Sequence, residues 1–253
     1  MPKNSIKVVS LVPSITETLI ECGVNLVGRS RFCIHPQPLV NQISKVGGTK
    51  DVDWEKVKQV APDIVILDKE ENTKEMAASC PVEYFALHIQ NVDNVGIELL
   101  RLAKRLDNEK LAQIAERWQM VNKKETISKS LTEFPGVIEW WKNSQRAQSF
   151  IYLIWKDPWM AAGENIFIQS MLDKLGYRSQ RIEFKDKYPQ INLGDYSPES
   201  TLLLFSSEPF PFANYRDQME ALGYDCALID GEKFSWYGIR SLEFLEQELF
   251  QSN

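Results

Sequence analysis

The stretch NVDNVGIELLRLAKRLDNEKLAQIAERWQMVNKKETISKSL, residues 91–131, decides how the rest of the chain is divided. Neither glycine nor proline falls between Gly96 and Pro135. Apolar residues recur at helical spacing: Ile97, Leu99, Leu100, Leu102, Ala103 and Leu106, then Leu111, Ile114, Ala115, Trp118 and Val121. Only Asp107-Asn108 interrupts, a pair that favours a cap over a helix interior. The spacing predicts one helix over 92–106 and a longer one over 108–129, which would reach roughly 30–35 Å. Strand and helix alternate on both sides of it. The expected fold is therefore α/β, with two α/β lobes of similar topology, parallel-type sheets flanked by helices, joined by one long bridging helix. The expected division is 1–106 for the N-terminal lobe, 107–148 for the bridging helix and linker, and 149–253 for the C-terminal lobe. The alternative is one more packed helix within a single domain.

Composition sets limits. A chain of 253 residues with 43% hydrophobic content can bury a real core. Its formal charge of −6 is spread without a basic run, which argues against sequence-independent binding to nucleic acid. No apolar stretch reaches the ~20 residues that span a bilayer. The start, Met1-Pro2-Lys3-Asn4-Ser5, runs straight into Ile6-Lys7-Val8-Val9, with no room for a signal peptide, so the expected compartment is the cytoplasm, or the periplasm if the chain was trimmed. Cys22, Cys33, Cys80 and Cys226 are scattered and read as reduced thiols.

Each half follows the same grammar. In the first, residues 6–12 form a β-rich run, and Ser14-Ile15-Thr16-Glu17 reads as a capping box for the following helix. Ala61-Pro62-Asp63 leads into Ile64-Val65-Ile66-Leu67, an apolar run of the kind buried in a parallel sheet, and the acidic loop 68–72 follows. Ligands of open α/β sheets bind beyond such strand ends. In the second half, Ser197-Pro198-Glu199 introduces Leu202-Leu203-Leu204-Phe205, and the loop 206–211 follows.

Five motifs carry a resemblance. Val9-Ser10-Leu11-Val12-Pro13-Ser14-Ile15-Thr16-Glu17, Val46-Gly47-Gly48-Thr49-Lys50 and Ala61-Pro62-Asp63-Ile64-Val65-Ile66 resemble the first lobe of class III, helical-backbone substrate-binding proteins. Trp159-Met160-Ala161-Ala162-Gly163-Glu164-Asn165 and Phe234-Ser235-Trp236-Tyr237-Gly238-Ile239-Arg240 resemble the second lobe, closest to the cobalamin branch. The resemblance implies a non-enzymatic protein that binds a cobalamin or other corrinoid, haem or ferric siderophore in a cleft between lobes, for an ABC importer. It requires no cofactor. Two features depart from the family pattern: the secretion signal is missing, and residues 131–149 exceed the usual link to the second lobe.

A broad, partly apolar ligand needs aromatic walls and a few convergent polar groups. The first-half candidates are Pro13, Ser14, Phe32, Cys33, His35 and the Glu70-Glu71-Asn72 loop, with free N–H groups at the start of the Pro13-Ser14 helix. The second-half candidates are Trp155, Trp159, Met160, Glu208, Trp236, Tyr237 and Arg240. Core packing is the alternative for the aromatics, and an internal salt bridge for Arg240. His35 is a candidate axial ligand to the metal of a chelate, against a plain hydrogen-bonding role, and Cys33 reads as an inert thiol or a ligand contact. Glu55, Glu70, Glu71 and Glu75 are candidate docking acids for a permease, with solvated helix faces as the alternative. Two other function classes stay open: a cytoplasmic scaffold or regulatory protein that kept the fold without transport, and a cofactor-processing enzyme using His35 with Cys33 or Glu71. The chain shows no nucleophile elbow, P-loop or dinucleotide fingerprint, and only two histidines for a bare-metal site.

Overall fold

The computed structural model describes residues 6–250, which fall into two compact units. Unit 1 is drawn from Met1–Lys123 and Trp236–Glu243, and unit 2 from Lys124–Ser235 and Phe244–Asn253.

Unit 1 runs β1 (Val8–Ser10), α1 (Pro13–Glu21), β2 (Leu26–Arg29), β3 (Ser44–Lys45), α2 (Trp54–Gln59), β4 (Ile64–Asp68), α3 (Lys74–Ser79), β5 (Tyr84–Leu87), α4 (Val92–Leu106) and α5 (Glu109–Lys123). Its sheet has the order β3-β2-β1-β4-β5, and every pairing is parallel. All five residues of β4 are buried: Ile64–Leu67 form the continuous apolar run expected of a strand covered on both faces, and Asp68 ends it. Unit 2 runs β6 (Val137–Lys142), β7 (Ser149–Trp155), β8 (Met160–Ala161), α6 (Phe167–Lys174), β9 (Thr201–Ser206), α7 (Arg216–Glu220), β10 (Asp225–Ile229) and α8 (Gly231–Ser235). A last helix, α9 (Ile239–Phe250), closes the chain. The second sheet has the order β6-β10-β9-β7-β8, parallel in its middle three strands and antiparallel at both edges.

The two sheets repeat one arrangement. In unit 1, β1 is followed across the sheet by β4 and then β5; in unit 2, β7 is followed by β9 and then β10. The proline–acid steps at Pro62-Asp63 and Pro198-Glu199 thus precede equivalent strands, β4 and β9.

Three local expectations change. Helix α5 ends at Lys123 rather than near 129, which makes it about 22 Å long. The residues beyond it are claimed by other bonds: Thr126 Oγ1 donates to the Lys174 carbonyl, and the Lys129 N–H to that of Gly176. Within unit 1, α5 packs on α4 at close range, because Gly96 faces the Ala115 carbonyl where a Cβ would come within 2.8 Å of it. The stretch 131–149, expected to be linker, contains β6, an edge strand antiparallel to β10 whose Trp141 enters the unit 2 core. The capping box at Ser14 does not form. Val12 is the N-cap and makes no side-chain hydrogen bond, while Pro13 takes the first helical turn, where its missing N–H costs nothing.

Candidate ligand-binding site

In both units the candidate side chains gather where the parallel strands end. In unit 1 the exit of β2 is shaped by Arg29, a buried guanidinium that donates from Nε to the Val40 carbonyl at 2.7 Å and from Nη1 to that of Cys33 at 2.7 Å. This holds the loop 30–40 so that Phe32, Ile34 and Leu39 face solvent while Cys33 points inward. The Cys33 thiol lies 3.0 Å from Thr16 Oγ1 and 3.2 Å from Ser30 Oγ, and burial pushes its pKa up. Cys33 is fully covered, with both hydroxyls within hydrogen-bond reach of its thiol.

The segment Trp236–Arg240 belongs to unit 1 rather than to the second half's compact unit. It is fastened to α1. The Ile239 N–H donates to Thr18 Oγ1 at 3.0 Å, and Arg240 grips Glu17 with Nε–Oε2 at 3.0 Å and Nη2–Oε1 at 2.5 Å. Gly238 permits this approach, since a Cβ there would lie 2.8 Å from the Ser14 carbonyl oxygen. Arg240 is therefore engaged by Glu17, the internal salt bridge weighed against a ligand role, and its guanidinium also covers the Trp236 ring at 5.5 Å. Trp236 is only 9% exposed and meets half-buried His35 edge-on at 5.4 Å. Tyr237 is buried as well. Its hydroxyl interacts with the Asp68 carboxyl, and burial together with that carboxylate raises the phenol pKa far above its ordinary value.

Asp68, at the head of the acidic loop 68–72, and Asn72, a candidate within it, organise the exit of β4. Asp68 accepts from the Glu70 N–H at 2.8 Å and the Ile89 N–H at 3.2 Å. Asn72 accepts from the Asp68 N–H at 2.9 Å and donates to the Thr49 carbonyl at 2.7 Å. Glu70 and half-buried Glu71 sit on the resulting loop, with Glu70 Oε1 3.6 Å from His88 Nε2. Ser14 is buried and Pro13 half-buried at the start of α1, where the first intrahelical bond runs from the Thr16 N–H to the Val12 carbonyl. Glu55 is exposed in the first turn of α2, beside Lys58, and Glu75 in that of α3.

Unit 2 offers a different surface. Trp155 ends β7 with 40% of its area exposed and meets Phe210 edge-on at 5.4 Å. Phe210 packs on Phe212 at 4.7 Å and on Tyr215 at 5.2 Å, and Trp159 stacks parallel to Phe212 at 6.3 Å. Phe205 and Phe212 lie fully buried beneath, while Trp159, Phe210 and Tyr215 remain half-exposed. Lys156 Nζ sits 5.8 Å from the Tyr215 ring centroid. Met160 is half-buried and pairs with Trp155 across the β7–β8 hairpin. Glu208, half-buried, accepts from Ser235 Oγ at 2.7 Å. Phe210 and Tyr215 are not among the sequence candidates; the signal for Phe210 is its place between two prolines in the loop 206–211.

Among the described residues no group of three or more His, Cys, Asp and Glu side chains could hold a metal ion. No helix of those residues is long and apolar enough to cross a membrane. The fold matches solved structures over nearly its whole length. The periplasmic vitamin B12 binding protein of Vibrio cholerae is 16% identical with a TM-score of 0.67, over 96% of this chain and 94% of that one. A periplasmic haem binding protein of Pseudomonas aeruginosa is 17% identical with a TM-score of 0.66, over 97% and 93%. A possible iron-binding periplasmic solute-binding protein of Staphylococcus epidermidis is 16% identical with a TM-score of 0.66, over 98% and 100%. Comparison with curated protein sequences finds no match. The sequence profile of the periplasmic binding protein family matches residues 8–197. The chain belongs to that family, whose members bind solutes without transforming them.

Proposed function

We propose that this solute-binding protein takes a metal chelate of the corrinoid, haem or ferric-siderophore class, as part of an ABC importer or as a relative of such a part. The observation that carries the reading is the aromatic face of unit 2. Trp155, Trp159, Phe210 and Tyr215 give a broad, partly exposed apolar surface with Lys156 at its border, at the carboxyl ends of parallel strands. Such a surface suits a flat ring system edged with carboxylate or amide groups. The ligands named for the structural neighbours, vitamin B12, haem and iron, support the same class. In unit 1, Phe32 and His35 on the β2 exit loop and Pro13-Ser14 at the start of α1 are the proposed contacts.

Calorimetric titration with cobalamin, cobinamide, haemin and several ferric siderophores tests the class. For whichever binds, Trp155→Ala lowers affinity roughly thirtyfold, about 2 kcal/mol, and leaves the unfolding midpoint in place. Unchanged affinity for every chelate bound would remove the aromatic face from the site. If haemin binds, His35→Ala shifts its visible absorption only where the imidazole reaches the iron.

Glu55, Glu70, Glu71 and Glu75 remain the proposed permease contacts, tested by charge reversal and co-purification with the partner. Cys22, Cys33, Cys80 and Cys226 are free thiols, which supports a reducing, cytoplasmic setting; fractionation of native cells decides it.

A further inference from the structure

A groove of about 340 Å³ lies between α3 and β5 in unit 1, lined by none of the residues assigned to the chelate. That volume is within the range of small-molecule sites. Its walls are Ala77 and Ala78 from α3 and Tyr84 and Ala86 from β5, with Leu67 of β4 beneath. Space exists there because α3 has six residues and lines the groove with small side chains, while β5 is the edge strand of the sheet among the described residues. The register gives the groove a direction. Tyr84 is opposite Val65, Ala86 opposite Leu67, and Leu87 opposite Asp68, so the groove runs from Tyr84 toward the loop 69–74.

The two ends differ in chemistry. At the Tyr84 end the lining is apolar save for the phenol. At the other end stand Lys69 and Lys74, both exposed, neither within salt-bridge distance of a carboxylate among the described residues. The neighbouring polar side chains are already committed: Asp68 to the Glu70 and Ile89 N–H groups, Asn72 to Asp68 and Thr49, and Thr73 to the Met76 N–H. What the groove offers a ligand is therefore two lysines at one end, beside the hydrogen-bonded Asp68 carboxyl and with Glu75 near Lys74, and small apolar side chains along its length.

We propose that this groove binds an amphiphilic anion, a medium-chain aliphatic carboxylate, with its head between Lys69 and Lys74 and its tail against Ala77, Ala86 and Tyr84. The site is independent of the chelate reading. Decanoate is the probe, with decanol as the neutral control of equal chain length, followed by NMR of the alanine methyl groups. Decanoate should shift Ala77, Ala78 and Ala86, saturate below its micelle-forming concentration, and bind about tenfold more tightly than decanol, as two partly screened charge contacts allow. Lys69→Glu combined with Lys74→Glu should abolish that preference. Ala78→Phe, at an exposed position, should block both probes with the unfolding midpoint unchanged. Equal affinity for decanoate and decanol in the wild type would overturn the proposal without any variant. So would shifts centred elsewhere, unaffected binding in Ala78→Phe, or a groove that accepts only an extended peptide along the β5 edge.

Discussion

β4 and β9 hold the same place in their sheets, yet the chain leaves them through loops of opposite chemistry. Beyond β4, Asp68 and Asn72 turn their polar groups back on the backbone, and the loop keeps its shape by hydrogen bonds. Beyond β9, Phe210 and Phe212 pack with Phe205, Trp155 and Trp159, and the loop keeps its shape by ring contact. Topology thus sets where a ligand face can form, whereas the side chains just past the strand set what it can recognise. A hydrogen-bonded exit presents fixed dipoles and charges; an aromatic exit presents area.

The largest way to break this contrast is to empty the aromatic exit. Phe212 is fully buried and touches Phe205, Phe210 and Trp159. Phe212→Ala should cost about 3–5 kcal/mol, through lost burial and the cavity left behind. Urea unfolding followed by tryptophan fluorescence measures it. A cost below ~1 kcal/mol would mean that the exit collapses freely and its rings are not a fixed surface.

The polar side has its own fastener. Arg240 and Glu17 form a bidentate pair whose side chains are mostly covered, so removing one partner strands the other. Glu17→Ala should cost about 2 kcal/mol, lower than for a fully buried pair because the Arg240 side chain keeps a quarter of its exposure. A double-mutant cycle with Arg240→Ala isolates the pair: additive single effects would show that Trp236–Arg240 is held by the Thr18 bond and ring packing instead.

What the sequence disclosed follows the range of the interactions. The buried runs 64–67 and 202–205 were legible because a strand covered on both faces must be apolar throughout, and α4 because its apolar period is unbroken. The α5 endpoint was not, since Thr126 and Lys129 are captured by carbonyls some fifty residues away. The placement of Trp236–Arg240 was also hidden. Its partners Thr18 and Glu17 are more than two hundred residues distant, and the local sequence, rich in aromatics and glycine, reads equally as a ligand loop. Strand β6 was masked by Pro135-Gly136, which marks a loop before the edge strand begins.

A subtler contrast concerns pH. Burial raises the Asp68 pKa, more than the Glu70 and Ile89 N–H groups and Tyr237 lower it. With the folded value above the unfolded one, the folded state holds the extra proton between them. This contribution to stability is therefore full below the ordinary carboxylate range and is lost as pH rises through the raised value. Asp68→Asn cannot titrate, so the stability difference between wild type and variant should decline over that window. A flat difference, in urea melts taken across acid to neutral pH, would show that Asp68 ionises without strain in its hydrogen-bonded loop. The aromatic exit has no buried carboxylate of this kind to test.

The smallest effect lies beyond β5, where the polar style of unit 1 continues. Asn91 caps α4: its Oδ1 accepts from the Asn94 N–H at 3.1 Å, and Asn94 Oδ1 accepts in return from the Asn91 N–H at 3.3 Å. Asn94 also donates to the His88 carbonyl at 2.7 Å, so the cap and the strand exit share one residue. In unit 2, Ile166 precedes α6 with no side-chain cap, and its helix relies on the burial of Phe167, Met171 and Leu172. Asn91→Ala should cost about 1 kcal/mol, the usual worth of an N-cap. Ile166→Asn, which supplies a cap but exposes a buried apolar position to an amide, should destabilise rather than help. Chemical unfolding of the two variants separates the ideas. If the new cap in unit 2 stabilises while loss of the old one in unit 1 is silent, hydrogen bonds do not distinguish these halves, and the difference between their exits is one of composition alone.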